Sequence, residues 1–201
     1  MNPIYVVLAG IFWKLWHKKI YLWHNHWHGN FITRAAIKLS DVVFYTSPFS
    51  FAAKFKKSKI MPVGIDTAIF RKDDRIEKVL PSILYAGRFS PVKNIDVLIE
   101  AADLLDKEGA DFVLNFVGEP GDDEKEHFKK IKALARGLEN KGKLRFLGKA
   151  AYRELPAIYS KNAIFVNLTQ TGSFDKTTLE AMACEDVALV SNQVFKDIFP
   201  K

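Results

Sequence analysis

Cysteine is almost missing from this 201-residue chain, where Cys184 stands alone. That excludes a disulfide framework and any zinc site built on cysteines, and it points to a reducing compartment. No G-x-G-x-x-G and no G-x-x-x-x-G-K-[ST] occurs, so neither a dinucleotide fingerprint nor a P-loop is indicated. Long apolar runs are missing too. The stretch from Pro3 to Trp13 is about half the ~20 residues that a membrane span requires, and Lys14 interrupts it. A secretory signal carries its positive charge ahead of the apolar stretch, whereas Lys14, Lys18 and Lys19 follow this one.

Acid is scarce in the first 60 residues. Nine Lys and Arg face Asp41 alone there, a balance of +8, while the other 141 residues balance to −1. Such a segment suits an anionic membrane surface or nucleic acid, or it is simply a solvated basic face. The opening segment reads as an amphipathic helix packed in a domain, followed by a buried strand over Ile20–Trp23. A helix lying in a membrane interface is the alternative, because Trp13, Trp16, Trp23 and Trp27 sit among lysines and histidines. His24, His26 and His28 alternate in a way that would place them on one side of a strand, but no carboxylate lies near enough in sequence to complete a metal site.

From Pro81 onward, short apolar runs alternate with helical stretches. The runs are Ile83–Ala86, Phe112–Val117, Leu144–Leu147, Ala163–Leu168 and Val187–Val190, each rich in the residues of strands buried on both faces. Between them lie helices over Ile95–Glu108, Asp123–Glu139, Arg153–Ser160 and Thr177–Glu185. In the first helix Val97, Leu98, Ala101, Leu104 and Leu105 form the expected apolar face, with Asn94 as N-cap and Gly109 as stop signal. The alternation predicts an α/β fold, a Rossmann-like parallel sheet with helices on both faces.

Ligands of such sheets bind beyond the carboxyl ends of the strands, at helix N-termini. Three segments stand there. In the first, Gly87 permits close backbone approach, and Arg88 and Lys93 flank a turn on Ser90-Pro91. Two cations suit a diphosphate, although taken alone they read better as exposed loop cations. The second, Val117 to Gly121, marks a chain reversal, and its acids (Glu119, Asp122, Asp123, Glu124) suit a helix N-terminus. In the third, the polar loop Thr169–Ser173 leads to a helix in which Thr177 and Thr178 would help cradle an anion. Glu180 could accept hydrogen bonds from a vicinal diol, or act only as a helix acid. Met182 and Ala183 read as packing against the sheet, and Cys184 as a small buried residue.

Three stretches in this order resemble the two-domain GT-B glycosyltransferases of the retaining family four. They are Pro62-Val63-Gly64-Ile65-Asp66 running on to Phe70, Gly87-Arg88 running on to Lys93, and Leu179-Glu180-Ala181-Met182-Ala183. The resemblance covers roughly residues 20–201. It implies transfer of a sugar from a nucleotide-diphosphate donor, UDP- or GDP-linked, to an acceptor hydroxyl with retention, in polysaccharide, lipopolysaccharide or glycolipid synthesis. Arg88 and Lys93 would hold the diphosphate, and Glu180 the ribose hydroxyls. His24 would be the acceptor-side histidine, with no metal or further cofactor. The family's sugar-contacting glutamate falls at Gly172, so the backbone of Gly172, Ser173 and Phe174 would take that role, assisted by Asp175 or Lys176.

The resemblance assigns residues 1–66 to the end of an acceptor-side domain with Asp41–Phe44 and Lys59–Val63 as its last strands. It assigns 67–80 to a linker and 81–201 to the nucleotide-sugar domain, the C-terminal half of a GT-B fold, so the chain reads as a fragment. The implied partners are the donor and a sugar or lipid-linked acceptor, with peripheral contact to an anionic membrane, no nucleic acid, and a cytoplasmic location at its inner face. An inactive nucleotide-sugar-binding fragment and a basic membrane-associating module are the alternatives.

Overall fold

The structure is a computed structural model that describes residues 2–61, 63–172 and 174–196. The chain divides into two compact units, one built mainly on the first 64 residues and the other on 65–170 and 175–192. The described parts of 171–174 and 193–196 go with the first.

In the first unit, helix α1 (Ile4–Leu15) leads to strand β1 (Tyr21–Trp23), helix α2 (Phe31–Leu39), β2 (Val42–Tyr45) and β3 (Ser58–Ile60). The three strands are parallel in the order β1-β2-β3. Asn30 starts α2 by accepting the Thr33 N–H at 3.0 Å, the usual means of satisfying an orphan donor at a helix start. Leu22, Val43, Ala36, Ile37 and Phe51 form the core with Val6 and Ile20. Two expectations need correction. Strand β1 is buried on one side only, since Leu22 points inward and Tyr21 and Trp23 outward, as period-two alternation requires. Helix α1 buries only Val6 and Gly10, leaving Tyr5, Leu8, Ile11, Phe12 and Leu15 exposed, as is Trp16 at its end.

The second unit carries β4 (Ser82–Ala86), α3 (Ile95–Lys107), β5 (Val113–Val117), α4 (Lys125–Asn140), β6 (Leu144–Gly148), α5 (Leu155–Lys161), β7 (Ile164–Asn167), α6 (Lys176–Ala183) and β8 (Val187–Val190). All five strands are parallel, in the order β6-β5-β4-β7-β8. Successive residues of β4 serve opposite faces. Tyr85 joins Leu98, Ile99, Ile131 and Leu138 of α3 and α4, while Leu84 and Ala86 join Tyr159 of α5 and Ala181 of α6. Helices therefore cover both faces of the central strands, which explains their largely apolar character. The edge strands β6 and β8, expected to be buried on both faces, leave Leu147, Val187 and Leu189 exposed because each has a neighbour on one side only. The buried stripe of α3 is Ile95, Leu98, Ile99 and Ala102, not the face expected through Val97, Ala101 and Leu104, which are exposed. The i, i+3, i+4, i+7 series begins one residue after Asn94 and fixes the helix rotation.

The linker stretch owes its pattern to packing. Asp66 accepts the Ala68 N–H with its carboxylate at 2.9 Å, and its carbonyl accepts from Phe70 at 2.8 Å. That tight turn drives Phe70, fully buried, edge-on against Tyr152 at 5.0 Å between ring centroids.

Candidate functional site

The centre of the five-stranded sheet sets the site. The β4–α3 and β7–α6 connections emerge side by side because β4 and β7 are neighbours. Gly87 and Gly118, at the ends of β4 and β5, have φ of +157° and +134°, in the range that favours glycine. Past them, Phe89 is buried among Phe116, Phe128 and Phe146. This anchors the loop that carries Arg88 and Lys93. Tyr85 donates its hydroxyl to the Arg88 carbonyl at 2.7 Å, and burial pushes its phenol well above the usual range.

Asn94 has left-handed backbone at φ 49° and does not cap α3 with its side chain, contrary to expectation. Its amide instead donates to the Leu168 carbonyl at 2.8 Å. Asn tolerates this conformation, and the side chain is diverted to fasten the two loops together. The Gln170 N–H, donating to Val92, adds a second fastening.

Each cation faces a carboxylate. Arg88, largely exposed, lies 3.5 Å from Glu124. Glu124 in turn accepts the Gly121 N–H at 2.8 Å, in the short turn before α4. Lys93 forms a largely buried ion pair with Asp175 and donates to the Thr169 hydroxyl at 3.2 Å. Burial works against ionisation of Asp175. The Lys93 ammonium outweighs it and, with hydrogen bonds from Asn167 and Thr177, holds the carboxyl below the usual range.

The Thr177 and Thr178 hydroxyls are already engaged, one donating to Asp175 at 2.9 Å and the other accepting from Asn167 at 3.3 Å. With Thr177 donating to Asp175 and Thr178 fully buried, neither hydroxyl is presented openly as expected from the sequence. Glu180 is buried in the second turn of that helix. Burial pushes its carboxyl up, the hydroxyl of Tyr159 opposes this from 3.4 Å, and Asp175 adds to the rise. Lys176 is exposed at the first position of α6. Cys184 is buried, and burial raises its thiol to about 11, in keeping with a packing role. Met182 is exposed rather than packed against the sheet.

In the first unit, Gly172 is buried, and Phe174 packs on Phe195 at 4.7 Å between centroids. Ser173 lies outside the described residues. His24 follows β1 and is nearly buried, with no partner for Nδ1 among the described residues. Burial and the neighbouring His26 hold its imidazole below the ordinary value. It lines a cavity of about 490 Å³ with Trp23, Asn25, His26, His28 and Asn30. These histidines follow the strand rather than lie on it, so strand alternation does not align them. His26 Nδ1 accepts the His28 N–H at 3.1 Å. Among the described residues no group of three or more His, Cys, Asp or Glu is arranged to hold a metal ion.

The sequence singles out Arg88 and Lys93, which lie in the β4–α3 connection, and Asp175 and Glu180, which lie just before and within α6. It gives no role to Tyr85, Asn167 or Tyr159 and offers Glu124 only as an acid for a helix N-terminus. For Glu124 a cue existed in the acidic cluster ahead of α4. Buried tyrosines on a strand and a helix carry no cue.

The family model described as Glycosyl transferases group 1 matches residues 66–196, well over half of the chain. A probable sucrose-phosphate synthase of Thermosipho melanesiensis is 29% identical over 133 residues, which are 63% of this chain and 30% of that protein. Among solved structures, the Anabaena protein HepE in complex with UDP and glucose superposes with a TM-score of 0.81 at 15% identity, over 100% of this chain and 60% of that one. A sucrose-phosphate synthase of Thermosynechococcus elongatus gives 0.76 at 18% identity, over 96% of this chain and 57% of that one. These likenesses bear out the α/β fold with helix-flanked parallel sheets. The chain spans less than two thirds of the length of each of these relatives.

Proposed function

The chain belongs to the glycosyl transferases group 1 family, and from that premise we propose that its second unit binds the nucleotide-diphosphate donor of a retaining, family-four sugar transferase. The carrying observation is the bond of Lys93 to Thr169 and Asp175, which joins the G-R-x-x-x-x-K loop to the loop that opens the L-E-A-M-A helix. Arg88 and Lys93 would hold the diphosphate, with Gly87 and the start of α6 supplying backbone. Glu180, braced by Tyr159, would accept from the ribose hydroxyls. HepE was solved with UDP, and UDP is the base form we favour over GDP.

In the transfer, the bond from the anomeric carbon to the diphosphate oxygen breaks and the acceptor oxygen bonds to that carbon. The hydroxyl proton passes to the departing phosphate. Negative charge grows on the leaving group, and fixed cations stabilise such charge more than they stabilise the ground state. No metal or further cofactor is part of this proposal. The His24 cavity offers imidazoles, amides and an indole to an acceptor sugar, the polar and stacking chemistry such a ligand needs. Polysaccharide or glycolipid synthesis in the cytoplasm is the setting we propose.

Calorimetric titration of the 201-residue chain with UDP and GDP tests the donor site. Saturable binding of one nucleotide, weakened at least about tenfold in both Arg88→Ala and Glu180→Ala, supports it. A folded chain that binds neither nucleotide at millimolar concentration overturns it.

A second reading concerns helix α1, whose exposed side presents Tyr5, Leu8, Phe12, Leu15 and Trp16 beside Lys18 and Lys19. No helix among the described residues is long and apolar enough to cross a membrane. An apolar face flanked by cations suits the surface of an anionic bilayer. Co-sedimentation with phosphatidylglycerol vesicles, reduced by salt and by Phe12→Ser with Trp16→Ser, is the expected result. Equal behaviour with phosphatidylcholine vesicles overturns it.

A further inference from the structure

Asp175 invites a role beyond that of a sugar contact. The structure holds its carboxylate in a closed network. Oδ2 takes the Lys93 ammonium and the Thr169 hydroxyl, the latter at 3.3 Å, and Oδ1 takes the Thr177 hydroxyl at 2.9 Å. Side-chain exposure is 17% for Asp175 and 19% for Lys93, so the pair is largely shielded from water, where charge-assisted bonds are strong and orientation is well defined. An ammonium has three N–H donors. Asp175 and Thr169 take two, and no described residue accepts the third. A lysine stem is flexible and rich in rotamers, and two anchors on one ammonium remove most of that freedom.

We propose that Asp175 is a positioning residue: it fixes the Lys93 ammonium so that its remaining proton is presented to the donor diphosphate. This rests on the donor-site reading above. It gives the position a phosphate-directed task, exerted through Lys93, instead of a contact with the transferred sugar.

Asp175 bears a negative charge close to where a diphosphate would sit, so two consequences of its removal oppose one another. Losing the charge strengthens attraction between Lys93 and phosphate. Losing the anchor frees Lys93 to leave for solvent, because a buried unpaired ammonium is strongly disfavoured. The proposal requires the anchor to dominate.

The test measures Kd for UDP, GDP and the matching nucleosides on the 201-residue chain and on Asp175→Ala, Asp175→Asn and Lys93→Met. Asparagine offers its carbonyl oxygen to Lys93 and an amide N–H to the Thr177 hydroxyl, so it keeps the anchor without the charge. The expected result has three parts. Asp175→Ala weakens the diphosphate about tenfold with nucleoside affinity unchanged, Asp175→Asn recovers most of the loss, and Asp175→Ala has no added effect in the Lys93→Met background. Diphosphate binding as tight or tighter in Asp175→Ala overturns the proposal, because charge repulsion then outweighs anchoring. Equal losses for diphosphate and nucleoside also overturn it, since that is the mark of a structural role alone. If the folded wild-type chain binds neither diphosphate, the donor-site reading falls and this inference with it. If it binds UDP in an Arg88- and Glu180-dependent way while Asp175→Ala is silent, only this inference falls.

Discussion

The carbonyl oxygen of Gly87 lies 1.9 Å from the point where a Cβ on Gly118 would stand. The ends of β4 and β5 are in backbone contact there, and the Gly87 N–H donates to Val117 at 2.9 Å. Since the overlap is with main chain, a larger residue cannot be accommodated by a side-chain swing. Gly118→Ala is expected to destabilise the second unit by about 2–4 kcal/mol, from strain at positive φ plus overlap. Urea unfolding measures it, and a loss below about 0.5 kcal/mol would show that the loop yields.

Asn94 combines left-handed backbone with the amide bond to Leu168. Alanine would lose both advantages and glycine only the bond. Thermal or urea unfolding should therefore rank wild type above Asn94→Gly above Asn94→Ala, with steps of about 1 kcal/mol each. The reverse order of the two variants would assign the effect to chain entropy.

Asp186 gives stability a pH dependence. Its side chain is fully buried against the Lys78 ammonium at 2.7 Å, with Oδ2 unpartnered among the described residues. Burial, outweighing the pull of Lys78, raises the carboxyl to about 6. The folded chain thus holds this proton more tightly than the unfolded one. The contribution is fully present below about pH 4 and is lost as pH rises through about 6. The stability difference between wild type and Asp186→Asn should fall across that window by roughly 3 kcal/mol at most. A difference that grows with pH would reverse the assignment and make the Lys78 pair the dominant influence.

Asp41, the lone acid of the first 60 residues, binds Lys14 at the end of α1 and the Ile20 N–H ahead of β1, each at 2.7 Å. The bond from Lys14, followed by that from Ile20, lowers its carboxyl. Its contribution is present above the unfolded carboxylate range near pH 4 and lost as pH falls below it. Asp41→Ala should accelerate amide exchange at Ile20 near neutral pH, with the difference from wild type shrinking in acid. Unchanged exchange would make the bond incidental.

Apolar runs of Val, Ile, Leu and Phe sufficed to locate β4 to β8 to within a residue or two. For the central β4, β5 and β7, burial on both faces leaves little other composition available, whereas the edge strands β6 and β8 keep apolar residues that are largely exposed. Helix rotation was less legible. In α3, Val97, Ala101 and Leu104 follow the same spacing as Ile95, Ile99 and Ala102, so pattern alone admits two faces. Strand β1 misled because exposed Tyr21 and Trp23 resemble core residues in a string of letters.

What the sequence determined by itself is the alternation of strand and helix, the family, and the connections and helix that carry Arg88, Lys93, Asp175 and Glu180. These are local properties, set by periodicity, turn chemistry and short motifs. Only the tertiary structure decided what those side chains touch. The order β6-β5-β4-β7-β8 places β7 beside β4, and Lys93 thereby meets Asp175, 82 positions along the chain. The same packing buries Thr178 against Asn167 and sets Tyr159 against Glu180. Partners so distant in sequence are chosen by which strands pair, a choice made by the whole sheet and its two covering layers.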